Sequence, residues 1–333
     1  MKSGQRIAVI SGVIAIAIII AIVTSANVFV QNNPRINSAI QNSANSTSAP
    51  KLKVIASFFP MYEFTRNVAG DKADVSVFIP IGEEPHGWEP TTQAIQDVQN
   101  SQLFIYNGAG MEAFIPQFVS TGNFPNTTFV RASEGIQMQN ADATNLGPEE
   151  AKPIIEQGGK DPHVWNDPVL AQQEVRSIAN AMEKADPTNA QYYENNTNAY
   201  IAKLTKLDQD IKSGLSNCQT HTFVSFHNAF TYFSQRYGLT DVWIYGIAPE
   251  AELAPQDMER VINIIKANNV KIIFSEDLVD PKLAQTLATE VGAQVRILSP
   301  LEGLNQTEQQ EGVTFLDKWY QNLANLKDAL GCQ

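Results

Sequence analysis

Cysteine, histidine and tryptophan are the scarce residues of this chain, with two of the first and four of each of the others among 333 positions. Neither Cys218 nor Cys332 lies near the N-terminus, which excludes bacterial-type lipid attachment to a cysteine there. Basic residues are also outnumbered, 23 against 35 acids, for a formal charge of −12. That balance excludes the basic face a nucleic-acid binder presents. No short-period repeat is detectable. What remains is the composition of a globular protein, 43% apolar and 17% charged, in a chain long enough for two domains with a core each.

The first stretch stands apart from any fold. Lys2 and Arg6 precede an apolar run from Ile7 to Val23 that extends with small residues to Val30. Residues 1–30 therefore read as a membrane anchor or a signal segment, with the remainder of the chain outside the cytoplasm. Thr24-Ser25-Ala26 fits a signal-peptidase site, so both readings stand. Residues 31–50, rich in Asn and Ser, read as a flexible tether and favour the uncleaved anchor. Asn-x-Ser/Thr triplets at Asn45, Asn126, Asn195 and Asn305 permit glycosylation in that compartment. Cys218 and Cys332 either pair there or remain two unrelated buried thiols.

From Lys51 onward short apolar runs alternate with helical periodicity. Strands are expected at Leu52–Phe58, Asp74–Pro80, Gln102–Tyr106 and Thr128–Arg131, with helices at Met61–Ala69, Thr91–Gln99 and Met111–Val119. Residues 132–160 show no periodicity and read as a long surface loop. A helix follows Pro168, Asp186-Pro187 breaks it, and a second runs from Thr188 to about Leu215. The alternation then restarts: strands at His221–Phe226, Asp241–Tyr245, Val270–Phe274 and Gln294–Leu298, and a final helix from about Glu308 to Leu330. The expected fold is α/β with two similar lobes, each a four-stranded mostly parallel sheet flanked by helices, joined by one long helix. The lobes span 51–186 and 217–333, and residues 187–216 form the link.

Three of the four histidines sit where chemistry is expected. His163 lies between Pro162 and Pro168, in Asp161-Pro-His-Val-Trp-Asn-Asp-Pro168, where the backbone has little freedom. His86 and His227 follow strands at their carboxyl ends, where open parallel sheets bind ligands. His221 begins its strand, at the opposite end, and reads as structural or surface. The three candidates are separated by 77 residues (86 to 163) and 64 residues (163 to 227), so only the folded lobes bring them together. Three imidazoles with one oxygen donor match the ligand demand of Zn²⁺. Two come from the first lobe and one from the second, which couples occupancy to lobe closure. Trp88, Trp165, Phe226 and Phe230 flank these positions and read first as core.

These segments resemble the zinc and manganese solute-binding proteins of ABC-type uptake systems. The resemblance runs from about Lys51 to the C-terminus. It rests on Pro-His-x-x-Glu-Pro at His86, Asp-Pro-His-Val-Trp-x-Asp-Pro at His163, and His-x-Ala-Phe-x-Tyr-Phe with Tyr-Gly-Leu from His227 to Leu239. It extends to Gly246–Pro255 and Val270–Glu276. It implies a rigid helix between lobes, metal held by His86, His163 and His227, and delivery to a membrane permease, with no catalysis. A histidine as third ligand favours zinc over manganese. One departure stands out: where the family usually has aspartate before Pro-Leu, this chain has Ser299-Pro300-Leu301. Glu302 is expected to supply the fourth donor, ahead of Glu276, Glu84 or a water. The chain is expected to be a monomer. Two competing readings are a zinc-dependent hydrolase, which lacks support from any His-Glu-x-x-His helix, and a surface-anchored adhesion protein with a structural metal.

Overall fold

The computed structural model describes residues 50–121, 123–141, 158–247 and 255–333. The segment expected as anchor or signal, residues 31–49 of the tether, Asn45 and the middle of the 132–160 loop lie outside that set. Among the described residues, no helix is long and apolar enough to cross a membrane.

Four short strands form the first sheet: β1 (Leu52–Ala56), β2 (Ala73–Val77), β3 (Leu103–Tyr106) and β4 (Thr128–Arg131). Their order is β2-β1-β3-β4 and every pairing is parallel. Parallel strands need crossovers, supplied here by α1 (Phe59–Ala69), α2 (Thr92–Gln99) and α3 (Ile115–Thr121). Burial on both faces explains the near-continuous apolar character of β1 and β3.

Between the sheets, α4 (Pro168–Ala185) and α5 (Ala190–Gly214) run back to back. Pro168 occupies the first turn of α4, where its missing N–H costs nothing, and the Asp167 carboxylate caps it by accepting from Val169 N and Leu170 N. A 3₁₀ turn at Pro187–Asn189 takes up the start of the helix expected from Thr188, leaving α5 with 25 residues. Its length is about 37 Å at 1.5 Å per residue. Tyr193, Tyr200, Leu204, Leu207 and Ile211 make its buried stripe.

The second sheet repeats the first: β5 (Thr222–His227), β6 (Thr240–Tyr245), β7 (Ile272–Ser275) and β8 (Gln294–Ile297), all parallel in the order β6-β5-β7-β8. Helices α6 (Thr231–Tyr237), α7 (Pro255–Ala267) and α8 (Lys282–Val291) connect them. The single C-terminal helix expected from Glu308 is two helices, α9 (Gln306–Glu311) and α10 (Phe315–Leu330). Gly312 ends α9 in the left-handed region at φ 70°, and a capping box of Thr314 with Asp317 starts α10.

One apolar cluster runs through both halves, from Val54, Phe64 and Phe104 to Phe230, Phe274, Phe315 and Trp319. A smaller cluster around Val224, Ile244, Val261, Ile273 and Leu287 lines the second sheet where α7 and α8 cover it. The halves therefore share a core, where two separate ones were expected. Fully burying each such side chain contributes ~1.5–3 kcal/mol. Cys218 and Cys332 form a disulfide that joins the chain just after α5 to the C-terminus.

Candidate metal centre

Each histidine is held by its own local chemistry. His86 lies in the turn after β2, where the Glu84 carboxylate accepts the backbone N–H groups of His86 and Gly87. His163 precedes the 3₁₀ turn Val164–Asn166. Its segment is pinned from both sides: Asn107 Nδ2 donates to the Pro162 carbonyl at 3.0 Å, and the Tyr232 hydroxyl donates to the Asp161 carbonyl at 2.7 Å. Arg236 Nε also reaches Asp167 Oδ1 at 2.5 Å, tying the start of α4 to α6. His227 is the last residue of β5, at the carboxyl end of the strand. His221 is exposed at the opposite end.

The three rings converge. His163 Nε2 lies 3.3 Å from His86 Nε2 and 3.3 Å from His227 Nε2. Glu302 Oε1 lies 3.4, 3.3 and 3.5 Å from the Nε2 atoms of His86, His163 and His227. Five of the six edges of this four-atom figure are thus nearly equal. A regular tetrahedron with such edges has its centre about 2.1 Å from each corner, the bond length of Zn²⁺ to nitrogen or carboxylate oxygen. The side chains of His163 and His227 are fully buried, Glu302 is 4% exposed and His86 8%.

The outward nitrogens fix which way the rings present themselves. His163 Nδ1 is 2.8 Å from Asp161 Oδ1, and His227 Nδ1 is 2.6 Å from Glu276 Oε1. With Nδ1–H donated to a carboxylate, the neutral ring aims its Nε2 lone pair at the centre. Glu302 Oε1 is buried and meets no hydrogen-bond donor. Converging lone pairs and a carboxylate oxygen repel one another unless a cation or protons lie between them.

Proton affinities reflect that arrangement. Burial pushes the His227 ring down, but the charges of Glu276 and Glu302 outweigh it and hold the ring well above its ordinary value. Burial likewise opposes protonation of His163, which its hydrogen bond to Asp161 and the nearby Glu302 carboxylate reverse, leaving it raised. Glu302 is pushed up by burial and pulled well below the usual carboxylate range by His227 and the other two rings.

His86, His163, His227 and Glu302 are thus brought together, as expected, and form a group whose ligand atoms lie within 4.8 Å of one another. Glu276 stands behind His227 and Glu84 faces its own turn, so neither points at the centre. Both line a small cavity with Asp277, Ser299 and Glu302. Ser299 turns inward to its own loop: its Oγ accepts from Leu301 N at 3.1 Å, and its backbone pairs with the Asn322 side chain. Trp165 is fully buried, its ring 5.2 Å from that of His163, and its Nε1 donates to the Pro300 carbonyl. Trp88 packs on Phe78 and Phe114, and Phe230 on Phe223 and Phe233, as core. Two roles were not read from the sequence: the orienting carboxylates of Asp161 and Glu276, and a buried lysine, Lys318, paired with Asp277 and Glu308.

The model of the family described as "Zinc-uptake complex component A periplasmic" matches residues 54–329. The high-affinity zinc uptake system protein ZnuA of Bacillus subtilis is 39% identical over 294 residues, 88% of this chain and 92% of that protein. The zinc-binding lipoprotein AdcA of Streptococcus pneumoniae is 32% identical over 83% of this chain, which spans 55% of that longer protein. Among solved structures, the metal-dependent lipoprotein YcdH of Bacillus subtilis superposes with a TM-score of 0.72 at 39% identity, covering 84% of this chain and all of that one. The Zn(II)-bound ZnuA-like domain of Streptococcus pneumoniae AdcA gives 0.71 at 32% identity over 84% and 99% of the two chains.

Proposed function

The chain belongs to the family of component A of zinc-uptake complexes, and from that premise we propose that it captures zinc outside the cytoplasm and delivers it to an ABC-type permease. It is a solute-binding protein and not an enzyme. Zinc is its cargo, held by His86, His163, His227 and Glu302. The observation that carries this reading is the buried Glu302 oxygen without a hydrogen-bond donor, 3.3–3.5 Å from three imidazole nitrogens. A nitrogen-rich set of this kind favours zinc over manganese.

Left in place as an anchor, the N-terminal apolar segment with its Asn/Ser-rich tether would keep the chain at the membrane beside the permease; cleaved as a signal, it would release the chain outside the cytoplasm, in either case as a monomer. Residues 51–186 and 217–333 act as the two halves of the binding unit, linked by 187–216. Elemental analysis of protein purified without added metal, followed by competition of zinc with manganese, tests the reading. One equivalent of zinc, displaced by manganese only at large excess, is expected; a metal-free protein that takes up neither ion would sink it.

The laminin-binding protein Lmb of Streptococcus agalactiae, described as having adhesin and metal-transporting activity, superposes with a TM-score of 0.74 at 31% identity. That likeness favours surface adhesion as a second reading. Binding to immobilised laminin, compared with zinc present and removed, tests it.

A further inference from the structure

We propose that Lys318 is a positioning residue for the metal centre, holding His227 and Glu302 in register through Asp277 and Glu308. The proposal rests on the reading of those residues as zinc ligands. Lys318 lies in α10 with its side chain 1% exposed. Its Nζ donates to Asp277 Oδ2 at 2.7 Å and to both carboxylate oxygens of Glu308, at 2.9 and 3.0 Å.

Each carboxylate belongs to a segment that carries part of the site. Asp277 follows Glu276, whose Oε1 accepts both the ring Nδ1–H and the backbone N–H of His227. Glu308 accepts the backbone N–H of Asn305 at 2.9 Å, closing the capping box of α9 and ending the loop that carries Glu302. From the same short helix, Gln309 Nε2 donates to the Ile81 carbonyl at 2.7 Å, reaching the strand-to-turn segment that leads to His86. One ammonium group therefore clamps the backbone beside two of the four ligand-bearing segments and the helix that touches a third.

The loop needs such a clamp. Leu301, the residue before Glu302, is buried and sits at φ 62°, a conformation that a leucine keeps only when its surroundings impose it. Stability alone does not account for the triad, because a buried ion cluster is often no more stable than an apolar replacement of the same volume. Position does account for it: without Lys318, two carboxylates face each other and push their segments apart. A shift of about 1 Å in Glu302 is enough to spoil a tetrahedral site, whose bond lengths tolerate only a few tenths of an ångström.

The test uses the full chain loaded with cobalt(II), whose visible d–d bands are strong in four-coordinate sites and weak at higher coordination number, together with zinc affinity by chelator competition. The unsubstituted protein is expected to give the strong bands. Lys318→Met is expected to weaken and shift them and to lower zinc affinity about 10–100-fold, the usual effect of removing an outer support. A merely structural lysine would alter the melting temperature and leave the cobalt spectrum in place, and that result overturns the proposal. Should Lys318→Met fail to fold, the isosteric Glu308→Gln decides: a shifted spectrum and weaker binding support the clamp, and an unchanged spectrum and affinity overturn it. Failure of the unsubstituted chain to bind either metal would instead remove the ligand assignment itself.

Discussion

Glu276 Oε1 accepts both hydrogen bonds that His227 offers away from the centre, the ring Nδ1–H at 2.6 Å and the backbone N–H at 3.1 Å. One oxygen thus sets the position of the residue and the tautomer of its ring. Glu276→Gln keeps the shape but lets the amide present an N–H where an acceptor is required. Zinc affinity is expected to fall about 10–100-fold with little change in the far-UV circular dichroism spectrum. Chelator competition measures it; an affinity within twofold of the unsubstituted protein would contradict the role.

His163→Ala removes a fully buried ligand and is expected to weaken zinc binding by orders of magnitude. The apolar clusters that hold the chain together are built by other side chains, so the fold is expected to persist. The Asp161 carboxylate loses its ring partner, a loss of about 1–3 kcal/mol. Calorimetry with and without zinc separates the two effects: a modest drop for the metal-free protein and no zinc-induced rise in melting temperature.

The acid–base behaviour has a definite sign. His163 and His227 are raised, so near neutral pH the metal-free site holds protons that zinc must displace. Affinity is expected to fall by up to about tenfold per pH unit for each proton displaced. For the metal-free protein, the raised rings contribute stability that is full below their ordinary 6.5 and is lost as pH rises through the raised values. Glu302 contributes stability above its ordinary 4.5, lost as pH falls through its depressed value. The metal-free chain is thus favoured between those limits, and the stabilisation by zinc grows as pH rises past them. Melting curves taken in parallel with and without zinc, from mildly acidic to alkaline buffer, should diverge progressively.

The Cys218–Cys332 bridge closes a loop of 114 residues. Its reduction is expected to lower stability by about 2–5 kcal/mol, read from the midpoint of denaturant unfolding with and without reductant. Two reactive thiols in the unfolded, unreduced protein would show that the bridge is not formed.

The architecture and the convergence of three histidines were legible because strand ends and prolines are local signals: each histidine could be placed by its neighbours alone. Glu302 could be ranked, since it follows the last strand closely. The facing of Glu276 could not, because position at a strand end does not tell whether a carboxylate points at a metal or at the back of a ring. Lys318 was invisible, since a lysine in an amphipathic helix reads as solvent-facing and its two partners lie 10 and 41 residues away. The break at Gly312 did have a signal in the Thr314-x-x-Asp317 box, outweighed by apolar periodicity on both sides of it.

A clamshell parts along a wet seam, and this seam is dry: Phe64 meets Phe315 with ring centres 4.9 Å apart, inside an apolar cluster common to the two sheets. Prising it open would expose that surface to water at a cost of ~25 cal/mol for every Å², which opposes wide gaping as the way cargo leaves. Release by short movements of the turns that bear His86 and Glu302 is the expected alternative, and scattering profiles of the loaded and unloaded protein should then superimpose.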